Sequence, residues 1–315
     1  MSPVRVAVAG LGGMGANHAP GVATHESTEL MAVCDIDGKR ANAVGDRFGV
    51  PSFTSWEALP KCDAVIIATP TYEHGAAAVA LLTDGPPVLV EKPLSNDLET
   101  VHRLLEISTA GDVPLMCGFV ERFNPAIQCA RSLIDGVPIH LLATRHSPVT
   151  PRATASVVYD LLIHDLDTAI QLMSPKVTAV DSRSWTGPGG LLELTDCTLG
   201  FEGGSVATLS ASRISQRKIR TLQITTSTAQ IEVDMLRHDV TVYRHRSHEQ
   251  LDFEGPTYRA DTIIDIPFVQ HLGEPLQQQL SRLVELVRGE ADAAVERSTL
   301  LAPHRIADEI ERQAP

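Results

Sequence analysis

The segment Gly10-Leu11-Gly12-Gly13-Met14-Gly15 constrains this chain more than anything else in its sequence. It is a G-x-G-x-x-G that directly follows the apolar run Val4–Ala9 and directly precedes the helix-like stretch Asn17–Ala23. In that setting each glycine has a physical task. Gly10 allows the tight turn, Gly12 lets a pyrophosphate approach the backbone, and Gly15 lets the helix pack close to the strand. The helix then offers free N–H groups and its positive end to phosphates. Glycines alone are a weak signal, because loops are rich in them. The stronger signal is the strand–glycine–helix order combined with Asp35, which ends the next strand roughly 20 residues on. A carboxylate there accepts hydrogen bonds from ribose hydroxyls and repels a 2′-phosphate. The expected cofactor is therefore NAD, with NADP left open by Lys39 and Arg40 just beyond. Asp37 reads as a turn or cap residue.

The chain continues in the same alternation up to about Phe119. Strands are expected at Val4–Ala9, Glu29–Cys34, Ala64–Thr69, Pro87–Val90 and Val113–Cys117, and helices at Asn17–Ala23, Lys39–Phe48, His74–Leu82 and Asp97–Ala110. Asn96 with Glu99 reads as a capping box for the last helix. Short apolar strands alternating with helices imply an α/β fold with a parallel Rossmann sheet. The pattern then changes. A helix is expected at Pro125–Ile134, a strand at Ile139–Arg145, a loop at Ser147–Thr154 and a helix near Val157–Met173. Strands follow at Val177–Trp185, Leu191–Phe201, Ser205–Ala211, Arg220–Thr226, Ala229–Met235 and Val240–His245, then helices at Glu274–Arg288 and Thr299–Glu311. This reads as an α+β domain with one large open antiparallel sheet. The expected division is an NAD(P)-binding domain over 1–119 and a substrate and oligomerisation domain over 120–315, its C-terminal helices free to pack back on the first. Val206-Ala207-Thr208-Leu209 puts apolar residues on both sides of a strand, so the open sheet face is expected to pair copies of the chain into a homodimer or homotetramer.

Bulk composition narrows the class further. A formal net charge of −13 disfavours nucleic-acid and anionic-membrane partners. The five cysteines form no CxxC pair, which fits reduced thiols and argues against a zinc site or a disulfide framework. No HxH or HExxH pattern supports a metal, and His18, His146 and the His238/His245/His248 group read as turn or surface residues. The sequence opens on strand-like residues without a leader pattern and has no apolar run long enough to span a bilayer, so the expected location is the cytoplasm.

Two motifs bear on chemistry. Glu91-Lys92-Pro93 follows a strand at the carboxyl edge of the expected sheet, the edge where such sheets bind ligands. In Asp160-Leu161-Leu162-Ile163-His164-Asp165-Leu166-Asp167, Asp160 and His164 stand at i and i+4, on one face of a helix. Apolar neighbours would bury them together, and the carboxylate would orient the imidazole and raise its basicity.

These segments, with Ala68-Thr69-Pro70 followed by His74, resemble the Gfo/Idh/MocA family of oxidoreductases, named for glucose–fructose oxidoreductase, inositol dehydrogenase and rhizopine catabolism. The resemblance runs over nearly the whole chain. It implies NAD(P)-dependent hydride transfer to or from a carbinol or carbonyl of a sugar, nucleotide sugar or cyclic polyol. It implies that Lys92 hydrogen-bonds the reacting oxygen, that His164 is the acid/base and that Asp160 is its partner in proton transfer. It further implies cofactor contacts from Gly10, Gly12, Gly13, Met14, Gly15, Asp35, Thr69, Pro70, His74, Glu91 and Lys92. Thr71 stands where the family often has Asn, and Ala155-Ser156-Val157-Val158-Tyr159 replaces the usual glycine-rich approach to the Asp–His helix.

Glu121-Arg122-Phe123-Asn124-Pro125, His146–Arg152 and Val157–Asp165 further resemble the branch that holds UDP-N-acetylglucosamine 3-dehydrogenases. That resemblance makes Arg122, Asn124, Arg145 and Arg152 candidate substrate contacts beside Lys92, Asp160 and His164, with the arginines read either as holders of a diphosphate or as exposed or structurally paired residues. Two rival readings are a non-catalytic NAD(P)-binding regulator on the same fold and an imine, enone or tetrapyrrole reductase. Retention of Lys92 and His164 weighs against the first, and an intact Asp–His pair weighs against the second.

Overall fold

The computed structural model describes residues 2–83, 85–149, 155–173, 176–252, 255–271 and 273–314, with backbone alone at 247–252 and 255–260. Arg152 lies outside the described residues. The chain divides into two compact units, Met1–Val120 with Gly273–Glu309, and Glu121–Leu272 with Ile310–Pro315.

The first unit is built on six parallel strands, β1 (Val4–Ala9), β2 (Thr28–Cys34), β3 (Ser52–Phe53), β4 (Ala64–Ile67), β5 (Val88–Val90) and β6 (Leu115–Cys117), in the order β3-β2-β1-β4-β5-β6. Helices α1 (Gly15–Thr24), α2 (Gly38–Phe48), α3 (Thr71–Thr83) and α4 (Leu98–Ala110) make the crossovers. Val6 to Ala9 and all of β4 are buried, as strands covered on both faces require. Strand order reverses between β1 and β4, and the crevice outside the carboxyl ends at such a point is where these sheets take ligands. β3 has only two residues, too few to show a period in the sequence. Asp37 caps α2, accepting from the Lys39 and Arg40 amides, and Gly49 closes that helix at φ +68°. The capping box expected from Asn96 lies one residue off. Asp97 is the cap, and its carboxylate takes both the amide and the hydroxyl of Thr100.

The second unit carries α5 (Pro125–Leu133), β7 (His140–His146), a π-helical turn at Val158–Leu162 that runs into α6 (Ile163–Leu172), and the strands β8 (Val177–Thr186), β9 (Leu192–Phe201), β10 (Val206–Ser212), β11 (Ile219–Thr225), β12 (Gln230–Asp234), β13 (Asp239–Asp252) and β14 (Gly255–Asp265). They form one sheet in the order β14-β13-β12-β11-β7-β10-β9-β8. The sheet is mixed, not purely antiparallel. β10 and β11 flank β7 on opposite sides, with β11 antiparallel to it and β10 parallel. β14 extends beyond the last strand read from the sequence, pairing with β13 from Asp252 opposite Gly255. The inner face presents Leu141, Ala143, Ala207, Leu209, Leu222 and Ile224, all buried, toward α5, α6 and the π turn. The outer face is more polar than the sequence suggested. Leu142 and Val206 stand exposed there among Thr208, Ser210, Thr221 and Gln223.

The C-terminal helices are α7 (Pro275–Val287), α8 (Ala293–Ser298), which the sequence reading missed, and α9 (Leu301–Gln313). α7 lies on α1, where Gln277 donates to the Gly21 carbonyl at 3.3 Å and His25 meets the Ser281 hydroxyl at 2.9 Å. Among the described residues no helix is long and apolar enough to cross a membrane.

Candidate active-site residues

In the first unit the turn after β1 has the shape a dinucleotide needs. Gly10 sits at φ +88°, and a methyl group there would collide with the backbone of Ala68 and Thr69. A methyl group at Gly15 would overlap the Gly10 carbonyl oxygen, so the close packing of α1 on β1 is steric fact. Side chains built at Gly12 or Gly13 would meet nothing within 4 Å, which leaves open space over the turn. No side chain caps the start of α1 at Met14, and no acid stands in its first turn. Asp35 is 5% exposed; it accepts the Leu11 amide at 2.8 Å and the Asp37 amide at 2.9 Å. Arg40 also reaches its carboxylate, with Nη1 at 3.1 and 3.2 Å from the two oxygens. Across the switch point, the Thr69 hydroxyl is buried and has no hydrogen-bond partner in the protein, and Pro70 beside it is exposed. Open space over two glycines and an orphaned hydroxyl on the facing loop fit a dinucleotide at this edge.

Lys92 follows β5 at the same carboxyl edge and is half-buried; its bond to Pro93 is cis. The loop around it is held by histidines. His18, on α1, is 4% exposed, and its Nε2 meets Glu91 Oε1 at 2.6 Å. This corrects the reading of His18 as a turn or surface residue, and it turns the Glu91 side chain inward. His74 is also buried, with Nδ1 at 2.7 Å from the Pro93 carbonyl and Nε2 at 2.8 Å from that of Thr69. Both ring nitrogens meet backbone carbonyls, so His74 braces two loops. His304 Nε2 accepts the Leu94 amide at 2.9 Å, while its Nδ1 donates to the Leu300 carbonyl.

In the second unit the helix bearing Asp160 and His164 has two sides. The expected regular α-helix is replaced at Val158–Leu162 by a π turn, a feature common at functional sites. Val158, Tyr159, Leu162, Ile163 and Leu166 face the core, and Asp160 and His164 both land on the half-exposed side. They are thus not buried together as expected. Asp160 accepts from Arg213 Nη1 at 3.3 Å. Arg213 is 1% exposed and also donates to Glu193 at 3.0 Å and to the carbonyl of Ala155 at 2.7 Å. Nothing in the sequence near Arg213 pointed to this, since the contact spans 53 residues.

The remaining acids of the motif point inward and consume the arginines expected to hold a diphosphate. Arg145, 1% exposed, binds Asp165 through Nε and Nη2 at 2.8–3.0 Å and Glu121 through Nη1 at 2.8 Å. Burial works to raise the Glu121 carboxyl, but Arg145, Arg220 and Asn124 outweigh it and hold it below its ordinary value. Arg122 forms a two-pronged pair with Asp167 at 2.6 and 2.8 Å. Asn124 is buried, caps α5 by accepting the Ala126 amide at 3.0 Å, and donates to Glu121 at 3.0 Å. Arg145 and Asn124 are thus both buried and paired within the protein.

Two family profiles match the chain, "Oxidoreductase family, NAD-binding Rossmann fold" over residues 4–119 and "GFO/IDH/MocA C-terminal domain" over 127–232. UDP-N-acetylglucosamine 3-dehydrogenase of Acidithiobacillus ferrooxidans is 32% identical over 248 residues, 78% of each chain. The scyllo-inositol 2-dehydrogenase (NAD(+)) of Bacillus subtilis is 32% identical over 232 residues, 67% of this chain and 68% of its own. A solved structure of the Acidithiobacillus enzyme superposes with a TM-score of 0.83 at 26% identity, covering 99% of both chains.

Proposed function

Because the chain belongs to the Gfo/Idh/MocA oxidoreductase family, we propose that it is a dehydrogenase or reductase that moves a hydride between NAD and a carbinol or carbonyl carbon of a nucleotide sugar. The observation that carries this reading is the sorting of charge in the second unit. Every other acid of the Asp160–Asp167 segment is locked inward on an arginine, while Asp160 and His164 stay on the half-exposed side. A group that exchanges protons with a substrate has to be reachable, and neither of these side chains is fully buried.

The bound nicotinamide supplies the hydride acceptor or donor. Lys92, at the edge of the Rossmann sheet, donates a hydrogen bond to the reacting oxygen. His164 takes the hydroxyl proton in oxidation and returns it in reduction, with Asp160 as its partner in proton transfer. Arg213 holds Asp160 in place. The preferred cofactor is NAD, supported by the Asp35 carboxylate at the end of β2. The substrate class follows the named relative at 32% identity, with a cyclic polyol as the neighbouring class. A cytoplasmic setting is part of this reading. Pairing of copies through the outer sheet face around Leu142 and Val206 completes the reading.

The test is a panel of UDP-N-acetylglucosamine, other nucleotide sugars, inositols and free hexoses, read by NADH absorbance. Turnover is expected on a nucleotide sugar. His164→Ala and Lys92→Ala are expected to lower kcat by about 10²–10⁴-fold. Near-normal turnover of either variant on the best substrate would remove the assigned role.

A further inference from the structure

The contacts around Glu91 join two parts of the first unit that have separate tasks. His18 is the fourth residue of α1, the helix whose start faces the open space over Gly12 and Gly13. Glu91 is the peptide neighbour of Lys92. The two side chains are buried, 4% and 7% exposed, and meet at 2.6 Å. Glu91 has little freedom to adjust. Its other oxygen lies 3.3 Å from the Lys92 amide, and a methyl group placed at Gly118 would fall 2.7 Å from it. On the far side of the lysine, the Pro93 carbonyl is fixed by His74 and the Leu94 amide by His304. Pro93 and Leu94 are thus anchored to α3 and α9, and Glu91 to α1.

We propose that His18 is a positioning residue for Lys92, which ties the placement of the lysine to occupancy of the dinucleotide site through the His18–Glu91 contact. This rests on the role given to Lys92 above and adds a coupling to it. A pyrophosphate bound at the start of α1 fixes that helix against β1. His18 transmits the fixed position to the Glu91 carboxylate by a short hydrogen bond between buried groups, where solvent does not compete for it. The Glu91–Lys92 peptide then has one position, and with it the stem of the lysine. Misplacing a catalytic group by about 1 Å costs on the order of 100-fold in rate, so a link of this kind has a reason to be buried and short.

The geometry also says which replacement preserves the link. The contact uses Nε2, so His18→Gln, whose amide N–H reaches a similar position, keeps the donor, and His18→Leu removes it. The readout is pulse acetylation with peptide mass spectrometry. The chain has five lysines, and Lys39, Lys61, Lys176 and Lys218 serve as internal references for Lys92. ADP-ribose is the probe, because it carries the pyrophosphate but no nicotinamide ring to cover Lys92 directly. In the wild-type chain saturating ADP-ribose is expected to change Lys92 acetylation at least about twofold against the references. His18→Leu is expected to lose that response while still binding ADP-ribose, and His18→Gln to keep it. Gly118→Ala, which displaces Glu91 and leaves His18 intact, is expected to weaken it. In turnover, His18→Leu is expected to lower kcat with little change in cofactor Kd, and His18→Gln to recover most of it.

No ADP-ribose response in the wild type, or an undiminished response in folded His18→Leu, would overturn the coupling whatever the activity assays show. Full activity of Lys92→Ala, with the wild-type chain and the His18 variants behaving as expected in acetylation, would instead overturn the assigned role of Lys92 and leave the coupling standing.

Discussion

Removing the Arg145 side chain separates a structural cation from a substrate-binding one. Arg145 makes hydrogen bonds of 2.8–3.0 Å to Asp165 and of 2.8 Å to Glu121, and the two carboxylate side chains are 2% and 8% exposed. Arg145→Met keeps much of the volume and deletes the charge, leaving two acids buried against each other. Breaking a buried pair from one side costs about 3–5 kcal/mol. Arg220, 3.6 Å from Glu121, offsets part of this, so the lower end is expected. For a unit of this size each kcal/mol shifts the midpoint by roughly 2–4 °C, which puts the fall in Tm on the order of 6–12 °C. Scanning calorimetry, with urea titration as a second measure, reads this directly. Adding Asp165→Leu and Glu121→Leu removes the stranded charges and is expected to restore much of the loss, since apolar replacement of a buried ionic cluster is often neutral. A melting point for Arg145→Met within a degree or so of the wild type, with a tenfold rise in the KM for a nucleotide sugar, would refute the structural role. Arg145 would then be holding substrate phosphate, and the carboxylates would need other partners.

Three further outcomes follow from the same structure. Glu121 has a lowered carboxyl, so its stabilising contribution is fully present above the unfolded value of about 4.3 and is lost as pH falls through the lower folded value. Tm is expected to drop in that acid range, and Glu121→Gln is expected to flatten the drop. Arg40 lies on the Asp35 carboxylate, so Arg40→Ala is expected to leave NAD affinity within about threefold and to weaken NADP more, because a nearby arginine is what accommodates a 2′-phosphate. Paired calorimetric titrations check this, and equal losses for both cofactors would contradict it. Burial first, then Asp35, pushes the Cys34 thiol up to about 11, and burial with Asp196 and Asp165 pushes Cys197 up to about 12. Both are expected to resist disulfide reagents at pH 8 and to react only after denaturation.

What the sequence made legible, and what it left hidden, divides by the range of the physics involved. The Rossmann sheet was readable because its signals are local. Glycines are needed wherever backbone must approach backbone, as at Gly10 and Gly15, and strands buried on both faces, such as β1 and β4, show up as unbroken apolar runs. β3 escaped because two residues carry no period, and β14 because its pairing partner defines it more than its own composition. The partners of charged side chains were not readable at all. An arginine quoted beside a substrate-like motif looks the same in sequence whether it faces ligand or carboxylate, and Arg145 finds Asp165 across 20 residues and a strand-to-helix connection. The same limit hid His18. A histidine at the end of the first turn of α1 gives no local hint of an acid 73 residues away. The inward and outward residues of the Asp160–Asp167 segment are linked. Asp165 and Asp167 are satisfied from within by Arg145 and Arg122, and the π turn ahead of them sets Asp160 and His164 on the other side. The inward acids anchor the helix and fix which side its outward pair occupies. Arg122 and Arg145, first read as substrate contacts, thus set the side of the helix on which Asp160 and His164 stand.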